Sequence, residues 1–190
     1  MNDISQNIGN ACQLLMQVYS EIDKIKNECS DLLNNHSYNY SEDYSYGGKG
    51  LSLRANHSYI FVPVGENNKT GVFGITVIFF NENGIHTIES SSRPEIWFGW
   101  NVISGRDEII RPWNFRDTLS LKARGNFTTG LALDGEIHQY NWKSEEEDSK
   151  TAKREEWNGN YIGYPLAEIK NSEHIESIIN KIGIINSASN

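Results

Sequence analysis

Histidine and cysteine, the side chains that most often bind metals or act as nucleophiles, show no functional spacing in this chain. The five histidines form no H-x-H or H-E-x-x-H pair, and the two cysteines form no C-x-x-C pair. Zinc sites and other metal centres are built on such spacings. The chain also lacks the G-x-S-x-G motif of many serine hydrolases and the G-K-[ST] ending of a phosphate loop. We therefore predict no metal site and no cofactor.

Glu168-Ile169-Lys170 is the best catalytic candidate, because it follows a predicted strand and precedes a predicted helix. This E-x-K arrangement resembles the metal-binding half of the PD-(D/E)xK nucleases. The resemblance covers these residues and the following helix, and it implies that Glu168 would hold Mg²⁺ while Lys170 supports the attacking water. The sequence departs from that family at the companion aspartate, since Asp134 falls in a tight turn, and at Pro165, which interrupts the strand. A metal-dependent nuclease is an alternative interpretation.

A second candidate site is a group of tryptophans and arginines that are close in sequence: Trp97, Trp100, Arg106, Arg111, Trp113 and Arg116. Tryptophan and arginine are enriched at the centres of protein interfaces, and arginine beside aromatic rings also binds nucleotides and single strands. Neighbouring Asp107, Glu108 and Asp117 partly neutralise the arginines, which disfavours nucleic acid. Core packing, a protein-binding surface and a small-ligand pocket near Trp97 and Trp113 all remain open.

Residues 3–33 carry the clearest periodicity, which predicts one long amphipathic helix. Their apolar residues alternate at spacings of four and three, the pattern of a heptad seam. The predicted interface is this seam: Ile4, Ile8, Ala11, Leu15, Val18, Ile22, Ile25, Cys29 and Leu32. A helix of about 29 residues spans about 43 Å, whereas a strand of about nine residues spans only about 30 Å. We expect one end of the helix to overhang the sheet and to be covered by a second copy or another protein.

Residues 72–80 predict the central strand of a sheet, because this run is uncharged and is rich in β-branched and aromatic residues on both faces. Gly74 and Thr76 make one face thinner, so a helix could approach closely there. An amphipathic pattern over 172–182 predicts a final helix. Further strands are predicted near 57–64, 85–89, 95–103, 128–133, 136–142 and 160–166.

This order of elements predicts an α+β fold, with a long N-terminal helix, an antiparallel meander of about six or seven strands and a short C-terminal helix. The predicted helix occupies 1–33, and a flexible linker rich in tyrosine, serine and glycine occupies 34–50. Residues 51–190 then form the sheet domain and its closing helix, so that the whole chain is one globular domain.

The bulk properties indicate a cytoplasmic binding module. A net charge of −8 and the lack of a long apolar run disfavour a general nucleic-acid surface and a membrane span. Cys12 and Cys29 are about 25 Å apart on one helix, too far for a disulfide, which favours a reducing compartment. The polar N-terminus is not typical of a signal peptide. We expect a non-enzymatic accessory subunit of a larger microbial or phage assembly that binds itself or a protein partner through its N-terminal helix.

Overall fold

The computed structural model describes residues 4–35, 38–40, 56–63, 71–79, 94–104, 115, 117–119, 126–128, 131–144 and 156–182. In chain order these residues form helix α1 (Ile4–Asn34), strands β1 (Tyr38–Tyr40), β2 (Asn56–Pro63), β3 (Val72–Ile78), β4 (Glu95–Ser104), β5 (His138–Lys143) and β6 (Glu156–Pro165), a 3-10 turn (Leu166–Glu168) and helix α2 (Ser172–Ile182). The predicted α+β class, with its long first helix, antiparallel sheet and short last helix, is confirmed.

The described strands form one antiparallel sheet in the order β1-β2-β3-β4-β6-β5. Strands β2, β3 and β4 pair in chain order, as in a meander, and β1 adds to β2 from within the predicted linker. The two neighbours of β3 are β2 and β4, whereas the predicted meander had 85–89 between β3 and β4. The meander is wrong at the other edge, where β6 lies beside β4 and β5 forms the edge strand. The reason is the distribution of apolar residues. One side of β5 carries exposed Gln139, Asn141 and Lys143, whereas the middle of β6 is buried on both sides.

The predicted number of strands stays a prediction, because the described residues do not test all of its members. Residues 85–89 lie outside them, as do 36–37 and 41–50 of the predicted linker. Tyr38–Tyr40 of that linker pairs with β2. The strand predicted over 128–133 is wrong for residues 131–133, which are not in a strand. Gly135 takes a φ of 70° and turns the chain directly into β5.

The two helices cover one face of the sheet. Isoleucines at i, i+3, i+4 and i+7 of α2 are all buried, as its amphipathic pattern predicts. They pack with buried residues of α1 and with the side chains of β3, β4 and β6 that point to this face. The cluster comprises Ile22, Cys29, Leu33, Phe61, Phe73, Ile75, Val77, Ile96, Phe98, Ile162, Ile175, Ile178, Ile179 and Ile182.

The opposite face is covered by the connection between β4 and β5, and there the sheet leaves space for an aromatic ring. Gly74 and Gly99 are cross-strand partners, and Phe115 lies over them. A Cβ atom at Gly74 would lie 2.6 Å from the Phe115 ring. The close approach expected at Gly74 therefore exists, and the group that approaches is this ring.

Three polar side chains are buried together on the same face. The Tyr161 hydroxyl lies 2.8 Å from Thr118 Oγ1 and accepts a hydrogen bond from the Asn101 amide. Burial raises the pKa of Tyr161, so its hydroxyl stays neutral. Thr118 Oγ1 also lies 2.7 Å from the Phe115 carbonyl oxygen, so this cluster fixes the connection against the sheet. A buried polar group needs such partners, because an unpaired one costs free energy.

Replacing Gly74 with Ala should destabilise the protein by roughly 1–3 kcal/mol, because the new methyl group overlaps the Phe115 ring. Denaturant unfolding measures the change. Gly9→Ala is the matched control: no atom lies within 4 Å of its Cβ position, and alanine favours a helix. Equal effects of the two substitutions would contradict the packing described here.

Replacing Tyr161 with Phe should lower the free energy of unfolding by roughly 1–3 kcal/mol, because the buried amide of Asn101 and the hydroxyl of Thr118 lose a partner. The ring, and therefore most of the packing, is retained. Thermal and denaturant unfolding measure the loss. An unchanged midpoint would show that the hydroxyl cluster does not hold the connection on the sheet.

Candidate binding surface and adjoining cleft

The second half of α1 is packed into the protein. The Tyr19 hydroxyl lies 3.3 Å from His57 Nε2 of β2, and the Tyr19 ring meets Phe79 edge to face. From the middle of the helix onward, every residue of the predicted seam is buried or half-buried: Val18, Ile22, Ile25, Cys29 and Leu32. These five residues pack within the chain, so the part of the predicted seam that is still available for an interface lies in the first half of α1.

The first half of α1 is exposed. Each side chain from Gln6 to Gln17 is exposed apart from Leu15, which is half-buried. Ile8, Leu14 and Met16 have exposed fractions of 59, 61 and 59 %. We call residues 6–17 the exposed half of α1. Of the predicted interface residues, Ile8 and Leu15 belong to it, and the side chain of Ile4 lies outside the described residues.

The exposed half of α1 has an unusual composition for a helix in water. No residue from Ile4 to Ser20 is charged, although 22 % of the whole chain is. The surface of a water-exposed helix normally carries charged residues, whereas charged residues are depleted in the buried centre of an interface. The exposed half of α1 therefore lacks the charged side chains that a water-exposed helix normally carries.

A cleft of about 500 Å³ adjoins the exposed half. One wall is α1 from Gln17 to Glu28, and the other is the chain from Pro165 to Asn171 together with Pro94. The Leu166 N–H donates to the Pro94 carbonyl oxygen at 2.8 Å, which ties this second wall to the start of β4. Because Gln17 ends the exposed half and also lines the cleft, the two form one continuous surface. The apolar residues of the cleft are Val18, Ile25, Pro94, Pro165, Leu166, Ala167, Ile169 and Ile175.

Charged side chains of both signs also line this cleft: Glu21, Lys24, Glu28, Glu168 and Lys170. Lys24 Nζ and Glu21 Oε1 form an ion pair of 2.7 Å between exposed groups. Such surface pairs contribute little to stability, typically about 0–1 kcal/mol. Three carboxylates against two ammonium groups give the cleft a slightly negative charge.

The predicted catalytic candidates Glu168 and Lys170 therefore lie in a cleft, and both side chains are exposed. Among the described residues, no three His, Cys, Asp or Glu side chains are placed to hold a metal ion. Asp134 bonds within its own loop: its Oδ1 accepts the Glu136 N–H at 2.9 Å and lies 3.1 Å from His138 Nε2. Burial raises the pKa of Asp134, but these two hydrogen bonds outweigh that effect and lower it. Glu168 and Lys170 therefore share the cleft with Glu21, Glu28 and Lys24, but the described carboxylates do not form a set that could hold Mg²⁺.

The tryptophans of the second candidate site point to opposite faces of β4. Trp97 is 1 % exposed and donates from Nε1 to Glu95 Oε2 at 3.1 Å within the core. Trp100 is half-buried and packs on the other face, over Gly71. The two rings therefore cannot line one pocket. The other members of the group, Arg106, Arg111, Trp113 and Arg116, lie outside the described residues.

The cleft was not predicted from the sequence, because its walls are about 140 residues apart in the chain and are brought together by tertiary packing. The local feature that could have indicated one wall of the cleft is Pro165, because a proline often ends a strand and a turn follows it here. The exposed half of α1 was predicted as an overhang from length alone.

No family model, curated protein or solved structure matches this chain. Within the described part of the chain, no helix is both long enough and apolar enough to cross a membrane.

The two halves of α1 should differ in thiol reactivity. Cys12 is exposed, whereas Cys29 is fully buried, and burial together with the nearby Glu28 raises the pKa of its thiol. We expect a thiol-reactive dye to modify Cys12 rapidly in the folded protein and Cys29 only after denaturation, as followed by mass spectrometry. Equal rates at both residues would contradict the burial of the second half of α1.

Proposed function

We propose that this protein is a non-enzymatic interaction module that associates through the exposed half of α1. The observation that supports the proposal is the combination of exposed Ile8, Leu14 and Met16 with a run of seventeen residues, 4–20, that carries no charge. A surface of this kind is unfavourable in water and favourable when another protein covers it.

Association would also stabilise the helix itself. The exposed half extends from the packed half of α1, so the helix is already nucleated, but without side-chain contacts each further residue stabilises it only slightly in water. Complete burial of one large apolar side chain contributes about 1.5–3 kcal/mol. Burial of the three exposed apolar side chains, Ile8, Leu14 and Met16, would therefore stabilise both the helix and the complex.

The proposed role is that of an accessory subunit in a larger microbial or phage assembly in the cytoplasm. The free thiol of Cys12 is exposed, which agrees with a reducing compartment. The rest of the molecule carries the negative charge, and its net value of −8 favours solubility. A charged body with one uncharged apolar extension suits a protein that is soluble alone and docks at one end.

The test compares two variants of α1 that add the same charge. Ile8→Glu places a carboxylate on the apolar side of the exposed half, whereas Gln13→Glu places one on the opposite side of the same helix. We expect Ile8→Glu to weaken association at least tenfold and Gln13→Glu to leave it nearly unchanged. Light scattering over a range of concentrations measures self-association, and co-purification with the tagged full chain measures binding to other proteins.

The outcome that would overturn the proposal is a monomer whose Ile8→Glu variant co-purifies with the same proteins as the wild type. Point variants are preferable to deleting residues 1–33, because that deletion would also remove Ile22, Cys29 and Leu33 from the core. Circular dichroism and unfolding of both variants show whether the body of the protein remains folded.

A further inference from the structure

We infer that the cleft beside α1 is a binding site for a small apolar amine, a molecule with a hydrocarbon or aromatic body and one protonated amino group. The ligand lies lengthwise between α1 and the chain that follows β6, and its ammonium group pairs with Glu28. This site is additional to the proposed function, which concerns the exposed half of α1. Its support comes from the shape of the cleft, the apolar side chains on both walls and the distribution of charge.

The cleft has the size of a small-molecule site. Its volume is about 500 Å³. Pockets of roughly 300–1,000 Å³ hold drug-sized ligands. The α1 wall runs from Gln17 to Glu28, which is about 16 Å of helix. A space of this volume and length suits an extended small molecule.

Both walls of the cleft are held in place by contacts elsewhere in the protein. On the α1 side, Ile22 is buried in the core. On the opposite side, the Leu166 N–H donates to the Pro94 carbonyl oxygen at 2.8 Å. Asn171 Oδ1 accepts the His174 N–H at 3.0 Å, which joins the end of this wall to the start of α2. The cleft is therefore formed before a ligand arrives, so binding does not have to order its walls.

The apolar side chains that line the cleft are only partly covered by the rest of the chain. Four of them are half-buried: Val18 and Ile25 on α1, and Leu166 and Ile169 on the opposite wall. Covering such side chains with an apolar body releases the water in contact with them, which favours binding. The walls therefore favour a hydrocarbon or aromatic ligand over a polar one such as a sugar or a phosphate.

The charges of the cleft favour a positively charged group on that ligand. Glu21 and Lys24 pair with each other at 2.7 Å. Within the described part of the chain, no ion pair is formed by the other charged residues that line the cleft: Glu28, Glu168 and Lys170. Two carboxylates against one ammonium group attract a cation more strongly than an anion.

Glu28 is the best anchor for the cation. It is half-buried, whereas Glu168 and Lys170 are exposed. A carboxylate that is partly removed from water and has no paired cation interacts more strongly with an incoming ammonium group than an exposed carboxylate does. Lys24 is four positions before Glu28 on the same helix, but its Nζ atom pairs with Glu21.

Three probes with the same hydrocarbon chain test the chemistry of the ligand: octylamine, octanol and octanoate. Near neutral pH the amine is protonated, as lysine is, and the carboxylate is ionised. We expect octylamine to bind the full-length protein at least tenfold more tightly than octanoate, with octanol between them, as measured by titration calorimetry. Equal affinities, or tighter binding of octanoate, would overturn the amine as the ligand. Failure of all three to bind would overturn the site.

Glu28→Gln and Glu176→Gln separate this site from the general attraction of an ammonium group to an acidic protein. Each substitution removes one negative charge from a chain whose net charge is −8. Glu28 lines the cleft, whereas Glu176 is exposed on α2 and does not line it. We expect Glu28→Gln to weaken octylamine binding at least fivefold without changing octanol binding, and Glu176→Gln to change both less than twofold. Equal effects on octylamine would overturn Glu28 as its anchor.

Ala167→Trp tests whether the probes lie in the cleft. Ala167 is exposed and lines the cleft, so a larger side chain there would occupy part of it. Ser177 is exposed on α2 and does not line the cleft, so Ser177→Trp is the matched control. We expect the first to weaken binding of octylamine and octanol at least fivefold and the second to leave both unchanged. Full binding by Ala167→Trp would overturn the cleft as the site, and the effect of Ile8→Glu on association is measured independently of it.

Discussion

Both faces of the central strands β3 and β4 have to be buried, because apolar side chains alternate to both sides of them. Phe73, Ile75 and Val77 point to one face, and Val72 and Ile78 point to the other. A sheet of this kind is stable only when two separate layers exclude water from it. The helices form one layer and the connection between β4 and β5 forms the other, so the chain uses distant segments to cover one structural element.

This requirement sets how much of α1 the protein can bury. The helix has 31 residues and is about 46 Å long, whereas the longest strands have 10 residues and span about 33 Å. The sheet and α2 therefore cover α1 only from about Val18 onward. The exposed half is the geometric remainder of a helix that is longer than the sheet it packs on.

The sequence was informative wherever a segment had a strong period of its own. The heptad spacing of α1, the apolar run of β3 and the isoleucines of α2 each identify an element without reference to the rest of the chain. It was uninformative about the exchange of β5 and β6. Either strand could pair with β4. The strand beside β4 is β6, whose middle is buried on both faces, and the edge strand is β5, which is buried on one face only. Predicting this order requires the burial of three strands to be compared at once.

The candidate site also has one part that the sequence could predict and one part that it could not. An overhanging end of α1 could be predicted, because helix length and strand length are properties of single segments, but which end it is could not. The cleft could not, since it exists only where Pro94, Pro165 and the middle of α1 meet. Glu168 and Lys170 looked like a catalytic pair because they are close in sequence, and in the structure they share a cleft with apolar side chains and with Glu21, Lys24 and Glu28. The neighbours of a residue pair in space therefore decide its interpretation, and here those neighbours come from a helix about 140 residues away in the chain.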